Sequence, residues 1–404
     1  MEKFDAAIVG AGPAGSAAAI SLARKGYRVA LIDKQEFPRD KLCGDFINPI
    51  NWPTLRELGI DNQVLSFEHD KVTAFRITVC SGEQAQALLP AQNRGPEFGL
   101  GLSRRRFDLA LMRQAEREGA VVLQGCRIKG LEREPQGWEL ILDHAPGDGE
   151  IRAPVLIGAD GRNSWVAHRL GLTTAAETQG RSVGFQIHLD APDAVRGNID
   201  IHLFPGGYAG LVGLGGNSFN LCLAIDKRRL PRERQVEFLS HSLLPRNPYL
   251  RELLLNSRRV GEVPATYPVY FKPRRCVADR LLFVGDAARV NEPVSGEGIY
   301  FAMKSALLAA DTIDTAFGAK DFSATRLSSY ERRCRREFKF RRRLNMLLRH
   351  LAYRPALLAP FVRFSARHGR LLDALVHAIC APNFTNPRYY REAHEGHEGS
   401  ETHF

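Results

Sequence analysis

The sequence predicts an α/β protein in three parts, because three stretches of the chain carry different residue patterns. Residues 4–33 have the pattern of a strand, a glycine turn, an Ala- and Leu-rich helix and a second strand, which is a parallel βαβ unit. Apolar runs at 183–187, 197–204 and 219–225 are separated by Gly- and Pro-rich turns, which favours a mixed or antiparallel β-sheet. Residues 328–379 predict a helical, basic C-terminal region.

Composition is that of an ordinary globular protein and disfavours several other classes. The 404 residues are 44% hydrophobic and 25% charged, which is enough for two or three domains. No run approaches about 18 consecutive apolar residues, and the N-terminus lacks the pattern of a signal peptide, so we expect a cytoplasmic protein. The seven cysteines are scattered without CxxC spacing, so we expect neither disulfides nor a metal site.

The formal net charge of +11 is concentrated in residues 332–349, which are rich in arginine. No helix-turn-helix, zinc-finger or RNP motif accompanies them, so we do not expect nucleic-acid binding. Five apolar residues recur at helical spacing in this region: Phe340, Leu344, Leu347, Leu348 and Leu351. The helix that carries these residues has two possible roles. Its apolar side makes a peripheral contact with the inner face of the membrane, or that side packs on the core and the arginines of the helix lie in solvent.

The strongest local signal is the sequence GAGPAG at residues 10–15, between the first strand and the first helix. A physical requirement explains the glycine at each of the three positions. Gly10 makes the tight turn, Gly12 lets the backbone approach a pyrophosphate, and Gly15 lets the helix and the strand pack closely. The turn therefore predicts a dinucleotide-binding site at the start of the chain.

Residues on either side of this turn complete the pattern. Pro13 and Ala14 begin the helix, and the N-terminus of a helix attracts phosphates. Asp33 ends the second strand, and 33 − 15 = 18 positions separate it from the last glycine. Its carboxylate can accept hydrogen bonds from ribose hydroxyls, and we place the neighbouring Lys34 at the same site. This pattern alone does not separate FAD from NAD.

Two distant segments point to FAD. A strand at residues 155–159 ends in an Asp-Gly pair, and a strand at 281–284 ends in a Gly-Asp pair that is followed by glycines before a long helix. In this order and at these separations, the segments resemble the Asp-Gly and Gly-Asp motifs of the flavoprotein hydroxylase superfamily. The resemblance implies a Rossmann-type FAD-binding domain with these further cofactor contacts: Asp160, Gly285, Asp286, Gly296, Gly298 and Ile299.

Two more segments narrow the resemblance. Residues 38–44, PRDKLCG, are similar to the PxxKxCG segment of the geranylgeranyl reductase-like branch, which implies that Lys41, Cys43 and Gly44 lie at the FAD. The sequence RRRFD that begins at Arg104 matches an RxxFD element in which the arginine contacts FAD. Cys43 is our candidate catalytic residue near the flavin, although a lone cysteine is equally a small packing residue.

These motifs divide the chain into four regions. We expect a discontinuous FAD-binding domain at 1–75, 100–180 and 276–318, a mixed or antiparallel β-sheet substrate domain at 76–99 and 181–275, a helical basic region at 319–387 and a disordered tail at 388–404.

The strands between residues 197 and 225 predict a small apolar substrate. Glycine-rich turns at 206–207 and 213–216 would let a ligand approach the backbone. Because strand side chains alternate between the two faces of a sheet, only a subset of the apolar residues can line a cavity. The candidates are Ile199, Ile201, Leu203, Phe204, Tyr208, Leu211, Val212, Leu214 and Phe219.

Three functions are open for this scaffold. Residues 204–211 lack the tryptophan and the later proline of the YxWxFP element of the reductases. We therefore favour an NAD(P)H-using monooxygenase that hydroxylates an apolar aromatic compound or secondary metabolite. The alternative is a geranylgeranyl reductase-like enzyme that reduces carbon–carbon double bonds, and the third is a non-catalytic FAD-binding electron-transfer partner. The WxWxIP element of flavin halogenases is absent, which disfavours halogenation.

The source of electrons is also open. The sequence contains no second Rossmann fingerprint, so we do not expect a separate NAD(P)H domain. NAD(P)H then binds transiently, or an external reductase supplies the electrons.

Overall fold

The computed structural model describes residues 2–90, 98–144, 147–173, 180–271, 273–290 and 293–381. The predicted tail at 388–404 lies outside them. The strands are β1 (Glu2–Lys3), β2 (Ala6–Val9), β3 (Val29–Ile32), β4 (Phe46–Ile47), β5 (Asp70–Val72), β6 (Ala74–Thr78), β7 (Gln84–Leu88), β8 (Gly99–Gly101), β9 (Val121–Leu123), β10 (Arg127–Glu134), β11 (Gly137–His144), β12 (Gly147–Ala153), β13 (Val155–Gly158), β14 (Ser182–Asp190), β15 (Asn198–Phe204), β16 (Gly207–Gly215), β17 (Ser218–Asp226), β18 (Arg258–Val260), β19 (Ala265–Thr266), β20 (Val277–Ala278) and β21 (Leu281–Phe283).

The helices are α1 (Pro13–Arg24), α2 (Trp52–Leu58), α3 (Asp61–Ser66), α4 (Arg104–Arg117), α5 (Trp165–Arg169), α6 (Gln235–Phe238), α7 (Pro248–Leu255), α8 (Gly298–Ala319), α9 (Ala324–Ala352), α10 (Pro355–Arg367) and α11 (Arg370–Cys380).

A six-stranded sheet in the order β20-β21-β13-β2-β3-β9 contains the predicted βαβ unit. Its central strands β13, β2 and β3 run parallel, and every residue of these three strands is buried. Such apolar runs are expected where both faces of a parallel sheet are covered. The small residues of α1 let that helix pack closely against α8 as well as against the sheet. The carboxyl ends of β2, β13 and β21 therefore meet at one edge.

A second, eight-stranded sheet contains the middle of the chain, in the order β18-β14-β17-β16-β15-β6-β7 with β19 beside β14. Its pairs are antiparallel except for β15 with β6. The glycine-rich stretch at 213–216 differs from the predicted turn, because Gly213–Gly215 still pair with β17 across a bulge. A Cβ at Gly213 would lie 1.7 Å from Asp70 Oδ2, so glycine is required for the approach of β5.

Two smaller sheets join these units. The order β1-β12-β11-β10 forms a four-stranded sheet beside the parallel one, and β4-β8-β5 forms a three-stranded sheet. The latter lies against β16, where a Cβ at Gly101 would be 1.8 Å from the Gly213 carbonyl oxygen. The short β8 strand thus brings the segment before α4 against the eight-stranded sheet.

The C-terminal region is helical, as predicted. Helix α9 begins at Ala324, where the Ser323 hydroxyl accepts a hydrogen bond from the Arg326 amide, and it packs on α8. Helices α10 and α11 pack against β7 of the eight-stranded sheet. No helix in the described ranges is long and apolar enough to cross a membrane.

The apolar residues predicted on α9 divide between the core and the surface, and the predicted membrane contact remains a prediction. Leu344 and Leu348 pack against the core, whereas Leu347 is 55% exposed. The predicted fold class, a Rossmann-type domain with a mixed sheet and a helical C-terminal region, is confirmed. The exact domain boundaries remain predictions.

The close crossing of β2 and α1 generates a stability prediction. A Cβ at Gly15 would lie 1.8 Å from the Gly10 carbonyl oxygen and 3.2 Å from the Ala159 Cβ atom. Because backbone cannot yield as a flexible side chain does, we expect Gly15→Ala to lower the free energy of unfolding by about 3 kcal/mol or more. Urea denaturation measures the change. Gly318→Ala on α8, where nothing lies within 4 Å of the added methyl group, is the control and should be neutral or slightly stabilising. Equal stability of both variants would contradict the crossing.

Candidate cofactor and substrate site

One cavity of about 560 Å³ lies where the parallel sheet, the eight-stranded sheet and the C-terminal helices meet. Fifteen of the seventeen predicted cofactor residues line it, although they come from distant parts of the sequence. They are Gly10, Gly12, Pro13, Ala14, Asp33, Lys34, Lys41, Cys43, Gly44, Arg104, Asp160, Asp286, Gly296, Gly298 and Ile299.

The other two predicted residues, Gly15 and Gly285, do not line the cavity but shape its floor. Gly15 permits the helix crossing described above. Gly285 has φ +56°, and a Cβ there would lie 2.9 Å from the Ala14 Cβ atom. Both glycines are thus required by backbone packing beneath the cavity.

Asp33 fixes the conformation of the glycine turn. Its Oδ2 atom accepts a hydrogen bond of 2.8 Å from the Ala11 amide, and its Oδ1 atom accepts one of 3.0 Å from the Gln35 amide. Gly10 adopts φ +102°, which glycine reaches without strain. The carboxylate predicted to bind a ribose therefore also bridges the ends of β2 and β3.

Two arginines share the fully buried carboxylate of Asp108 at the same end of the cavity. Arg104 Nε and Nη2 donate to its two oxygens at 2.6 and 2.8 Å, a bidentate pair. Arg39 Nη1 lies 3.2 Å from Asp108 Oδ2, and Arg39 Nη2 lies 3.6 Å from Asp33 Oδ2. The last residue of the RRRFD segment thus positions the arginine that the resemblance assigns to FAD.

Arg39 is a site residue that the sequence analysis missed, although it lies inside the PRDKLCG segment. Its side chain is 9% exposed. Its Nη1 atom is within ion-pair distance of Asp108, but neither Nη1 nor Nε makes a hydrogen bond to a described residue. Its Nη2 atom would be 3.6 Å from a Cβ at Gly12, so it faces the glycine turn. A buried guanidinium with unsatisfied donors beside a helix N-terminus fits an anionic pyrophosphate.

The rest of the polar end also fits FAD. Burial, helped by the charges of Arg104 and Arg39, lowers the pKa of Lys41. Arg162 Nη2 lies 3.9 Å from Asp286 Oδ2, so the Gly-Asp carboxylate is directed to the cavity beside a cation. Asp160 Oδ2 accepts from the Val166 amide, while its Oδ1 has no donor among the described residues. FAD would be held by these cations, carboxylates and the glycine turn, and when bound it supplies hydride-transfer chemistry.

Cys43 lies on the cavity wall as a thiol. Burial raises its pKa, and the Arg104 guanidinium opposes that rise only in part. The thiol is therefore protonated near neutral pH and is not activated as a nucleophile. Whether it takes part in catalysis stays a prediction.

Next to it, Asp45 joins residues 38–45, which we call the cofactor segment, to the eight-stranded sheet. It has φ +52° and is 2% exposed, and its oxygens accept hydrogen bonds from the Arg104 amide, Gln186 Nε2 and Asn220 Nδ2. Asn220 Nδ2 also donates to the Cys43 carbonyl at 2.7 Å. Burial nonetheless raises the pKa of Asp45 to about 7. No sequence motif marks this cluster, because a left-handed aspartate has no signature.

The opposite end of the cavity is apolar. Three of the nine predicted strand residues, Ile199, Ile201 and Tyr208, line it. Phe204, Leu211 and Phe219 face the other side of the sheet, and Leu203, Val212 and Leu214 are core residues away from the cavity lining. Further apolar lining residues that the sequence analysis missed are Phe46, Phe75, Leu89, Val269, Val294, Val376 and Ile379.

A buried ion pair holds the C-terminal helices against this cavity. Arg341 on α9 donates from Nη1 to Glu297 Oε1 at 2.6 Å, and both side chains are nearly inaccessible to solvent. Arg341 also donates to the carbonyl oxygens of Ile379 and Ala381, at and just beyond the end of α11. Glu297 immediately precedes α8 and ends residues 293–297, which we call the cofactor loop. One guanidinium therefore connects the cofactor loop, the basic helix α9 and the cavity wall. In the described ranges no cluster of His, Cys, Asp or Glu could hold a metal ion.

Comparison with known proteins agrees with this geometry. The FAD binding domain family model matches residues 3–207. The chain is 31% identical over 345 residues to digeranylgeranylglycerophospholipid reductase 1 of Methanothermobacter thermautotrophicus, covering 83% of each chain. It is 28% identical to the digeranylgeranylglycerophospholipid reductase of Methanocaldococcus jannaschii, covering 88% of this chain and 87% of that one.

Solved structures share the fold. A geranylgeranyl bacteriochlorophyll reductase-like protein from Thermoplasma acidophilum superposes with a TM-score of 0.76 at 22% identity, covering 98% of this chain and 99% of that one. A flavin-dependent brominase superposes equally well, with a TM-score of 0.76 at 20% identity and the same coverage. Fold similarity alone therefore does not distinguish the reactions.

A chain that carries an FAD binding domain and closes a cavity beside it with a second sheet is an FAD-dependent oxidoreductase. This chain belongs to the geranylgeranyl reductase-like branch of the flavoprotein hydroxylase superfamily, because most of its length aligns with reductases of that branch. The predicted family, FAD and enzyme class are confirmed.

Because space is open around Gly12, we predict that a larger side chain there prevents FAD binding but leaves the fold intact. A side chain there meets only Arg39 Nη2 among the described residues, so the protein can accommodate it. The side chain would occupy the place of the pyrophosphate, and we expect Gly12→Val to purify folded but without flavin absorbance. The control, Gly318→Val, lies away from the cavity and should keep full flavin content. A yellow Gly12→Val protein would contradict this position for the cofactor.

The buried Asp45 carboxyl predicts a pH dependence of stability. Its pKa is about 7 in the folded protein and near 3.8 in the unfolded chain. Between about pH 4 and pH 7 the unfolded chain releases this proton first, so the free energy of unfolding falls as pH rises and then levels. We expect Asp45→Asn to be less stable than the wild type, because the new amide group can place a donor against the Arg104 N–H. Its free energy of unfolding should nevertheless fall less steeply as pH rises from about 4 to 7. Asp40→Asn, whose carboxylate is 86% exposed, is the control. Parallel pH profiles for wild type and Asp45→Asn, measured by urea denaturation, would refute the assignment.

Proposed function

We propose that the protein reduces carbon–carbon double bonds in the isoprenoid chain of a lipid. The observation that carries this proposal is the asymmetry of the cavity, which has a cationic cofactor end and an apolar end enclosed by strands and α11. An extended hydrocarbon chain fits such a wall, because it gains free energy by leaving water and offers no hydrogen bonds. Relatives that cover four fifths of the chain are reductases of a geranylgeranyl-bearing phospholipid by name.

The residues of the apolar end would position the substrate and exclude water. Ile199, Ile201 and Tyr208 lie on one face of the sheet, and Val376 and Ile379 face the cavity from α11. Reduction of a double bond requires a hydride and a proton. Bound FAD would supply the hydride after its reduction by NAD(P)H or an external reductase. On the chain itself, the protonated Cys43 thiol lies on the cavity wall and is able to hold the proton.

The comparisons favour double-bond reduction over the hydroxylation that the altered 204–211 segment suggested. That segment still contributes Tyr208 to the cavity lining, so the loss of the tryptophan leaves an aromatic side chain at the site. We propose NAD(P)H or an external reductase as the electron source. The apolar cavity beside the cofactor end disfavours the third function, a non-catalytic electron-transfer partner, because such a protein does not need a binding site for an apolar substrate.

The decisive assay uses the FAD-loaded protein under anaerobic conditions. After reduction by NAD(P)H or dithionite, addition of a geranylgeranyl phospholipid should restore the oxidised flavin spectrum. Mass spectrometry should show the gain of two hydrogens for each double bond. Flavin that stays reduced with prenyl lipids, together with addition of one oxygen to phenols in air, would replace this proposal by hydroxylation.

A matched pair of variants tests the apolar end. Ile201→Asn places an amide in the cavity, whereas Ile187→Asn places one in the core on the opposite face of the same sheet. Both variants lose stability, but we expect only Ile201→Asn to raise KM for the prenyl lipid, by about tenfold, since burying an unpaired amide costs about 1–3 kcal/mol. Flavin content should be unchanged in folded protein of both variants. Equal effects on KM would contradict the position of the substrate.

A further inference from the structure

Exposed apolar side chains are concentrated on one part of the molecule, which we call the docking surface. Six of the eleven large hydrophobic side chains that are exposed in the described residues belong to β7 and helices α9 to α11. Their exposed fractions run from 47% to 73%, as for a surface that interacts with a partner. They are Leu88, Met346, Leu347, Leu357, Phe364 and Leu371.

The docking surface lies in the most positively charged part of the chain. Residues 338–372 contain nine Lys and Arg residues and no Asp or Glu, against a net charge of +11 for the whole protein. Arg343, Arg354, Arg367 and Arg370 in this segment are exposed. Apolar side chains mixed with cations match the interface of an anionic bilayer, where hydrocarbon lies beneath a layer of negative headgroups.

The elements that carry the docking surface also form the wall of the apolar cavity. On α11, Leu371 is exposed, whereas Val376 and Ile379 line the cavity five and eight positions later. At the end of β7, Leu88 is exposed and the next residue, Leu89, lines the cavity. A single layer of structure therefore separates the apolar end of the cavity from the docking surface.

We infer that the docking surface binds the protein to the headgroup region of an anionic lipid bilayer, with the cavity wall toward the lipid. Phe364, Leu371 and their neighbours enter the interface, and the arginines contact phosphate groups. The contact is with the surface of the bilayer, and no helix among the described residues is long and apolar enough to span it. Delivery of a lipid-borne prenyl chain through this wall rests on the proposed function, but binding to the bilayer does not.

Vesicle sedimentation of the FAD-loaded protein tests the inference. We expect binding to phosphatidylcholine vesicles that contain phosphatidylglycerol, much weaker binding to phosphatidylcholine alone, and release at high salt. The double variant Phe364→Asp/Leu371→Asp should bind at least about tenfold more weakly, because two exposed apolar side chains that would enter the bilayer interface become charges. The control, Val195→Asp/Leu255→Asp, changes two apolar residues outside the docking surface that are at least as exposed as Phe364 and Leu371, and it should bind like the wild type.

Each contrary result has a distinct meaning. Equal vesicle binding by both double variants, or no preference for anionic lipid, would overturn the inference. So would light scattering that shows the docking-surface variant changing a dimer to a monomer without any vesicle binding, because the surface would then bind a second copy. Vesicle binding that depends on Phe364 and Leu371, combined with no reduction of prenyl lipids, would keep the docking surface and reject the proposed function.

Discussion

The buried carboxylate of Asp108 is the constraint on which the cofactor end depends. It forms a bidentate ion pair with Arg104 and also lies 3.2 Å from Arg39, whose other carboxylate neighbour is Asp33. Removing Asp108 would leave the buried Arg104 guanidinium without this counter-ion, which is costly. By holding Arg39 it also fixes the segment that continues to Lys41, Cys43 and Asp45. Asp45 in turn hydrogen-bonds strands β14 and β17. A continuous set of polar contacts thus leads from α4, through the cofactor segment, to the eight-stranded sheet.

The two ends of the cavity recognise a ligand by different physical interactions. At the cofactor end, strand termini and a helix N-terminus present fixed dipoles and charges, so recognition is polar and local. At the other end, alternation along β15 and β16 directs isoleucine and tyrosine side chains inward, and α11 covers them. The polar end fixes the orientation of a bound ligand, while the apolar end provides the surface that a hydrocarbon chain can bury. Such a division suits a substrate whose reacting group sits within a long hydrocarbon.

Sequence patterns predicted the parts of this site that are encoded locally. Gly12, Asp160 and Asp286 each follow a strand, so position in the sequence largely determines position in space. The contribution of Arg39 could not be predicted in this way, because it depends on Asp108, a residue of another element. The same holds for Val376 and Ile379, since an amphipathic helix has one pattern whether its apolar face meets a core or a cavity. The preference for hydroxylation rested on a missing tryptophan and a missing proline in residues 204–211, whereas most of the chain is similar to reductases.

The ion pair between Arg341 and Glu297 has a consequence for ligand exchange. Because the same guanidinium holds the end of α11 and the residue before α8, α11 cannot swing away from the cavity without breaking these bonds or displacing the cofactor loop. Opening of the apolar end and weaker binding of the cofactor are therefore thermodynamically coupled. Coupling of this kind is reciprocal, because each event changes the free energy of the other by the same amount. A bound cofactor would therefore favour closure of the hydrocarbon end, and closure would raise the affinity for the cofactor by the same factor.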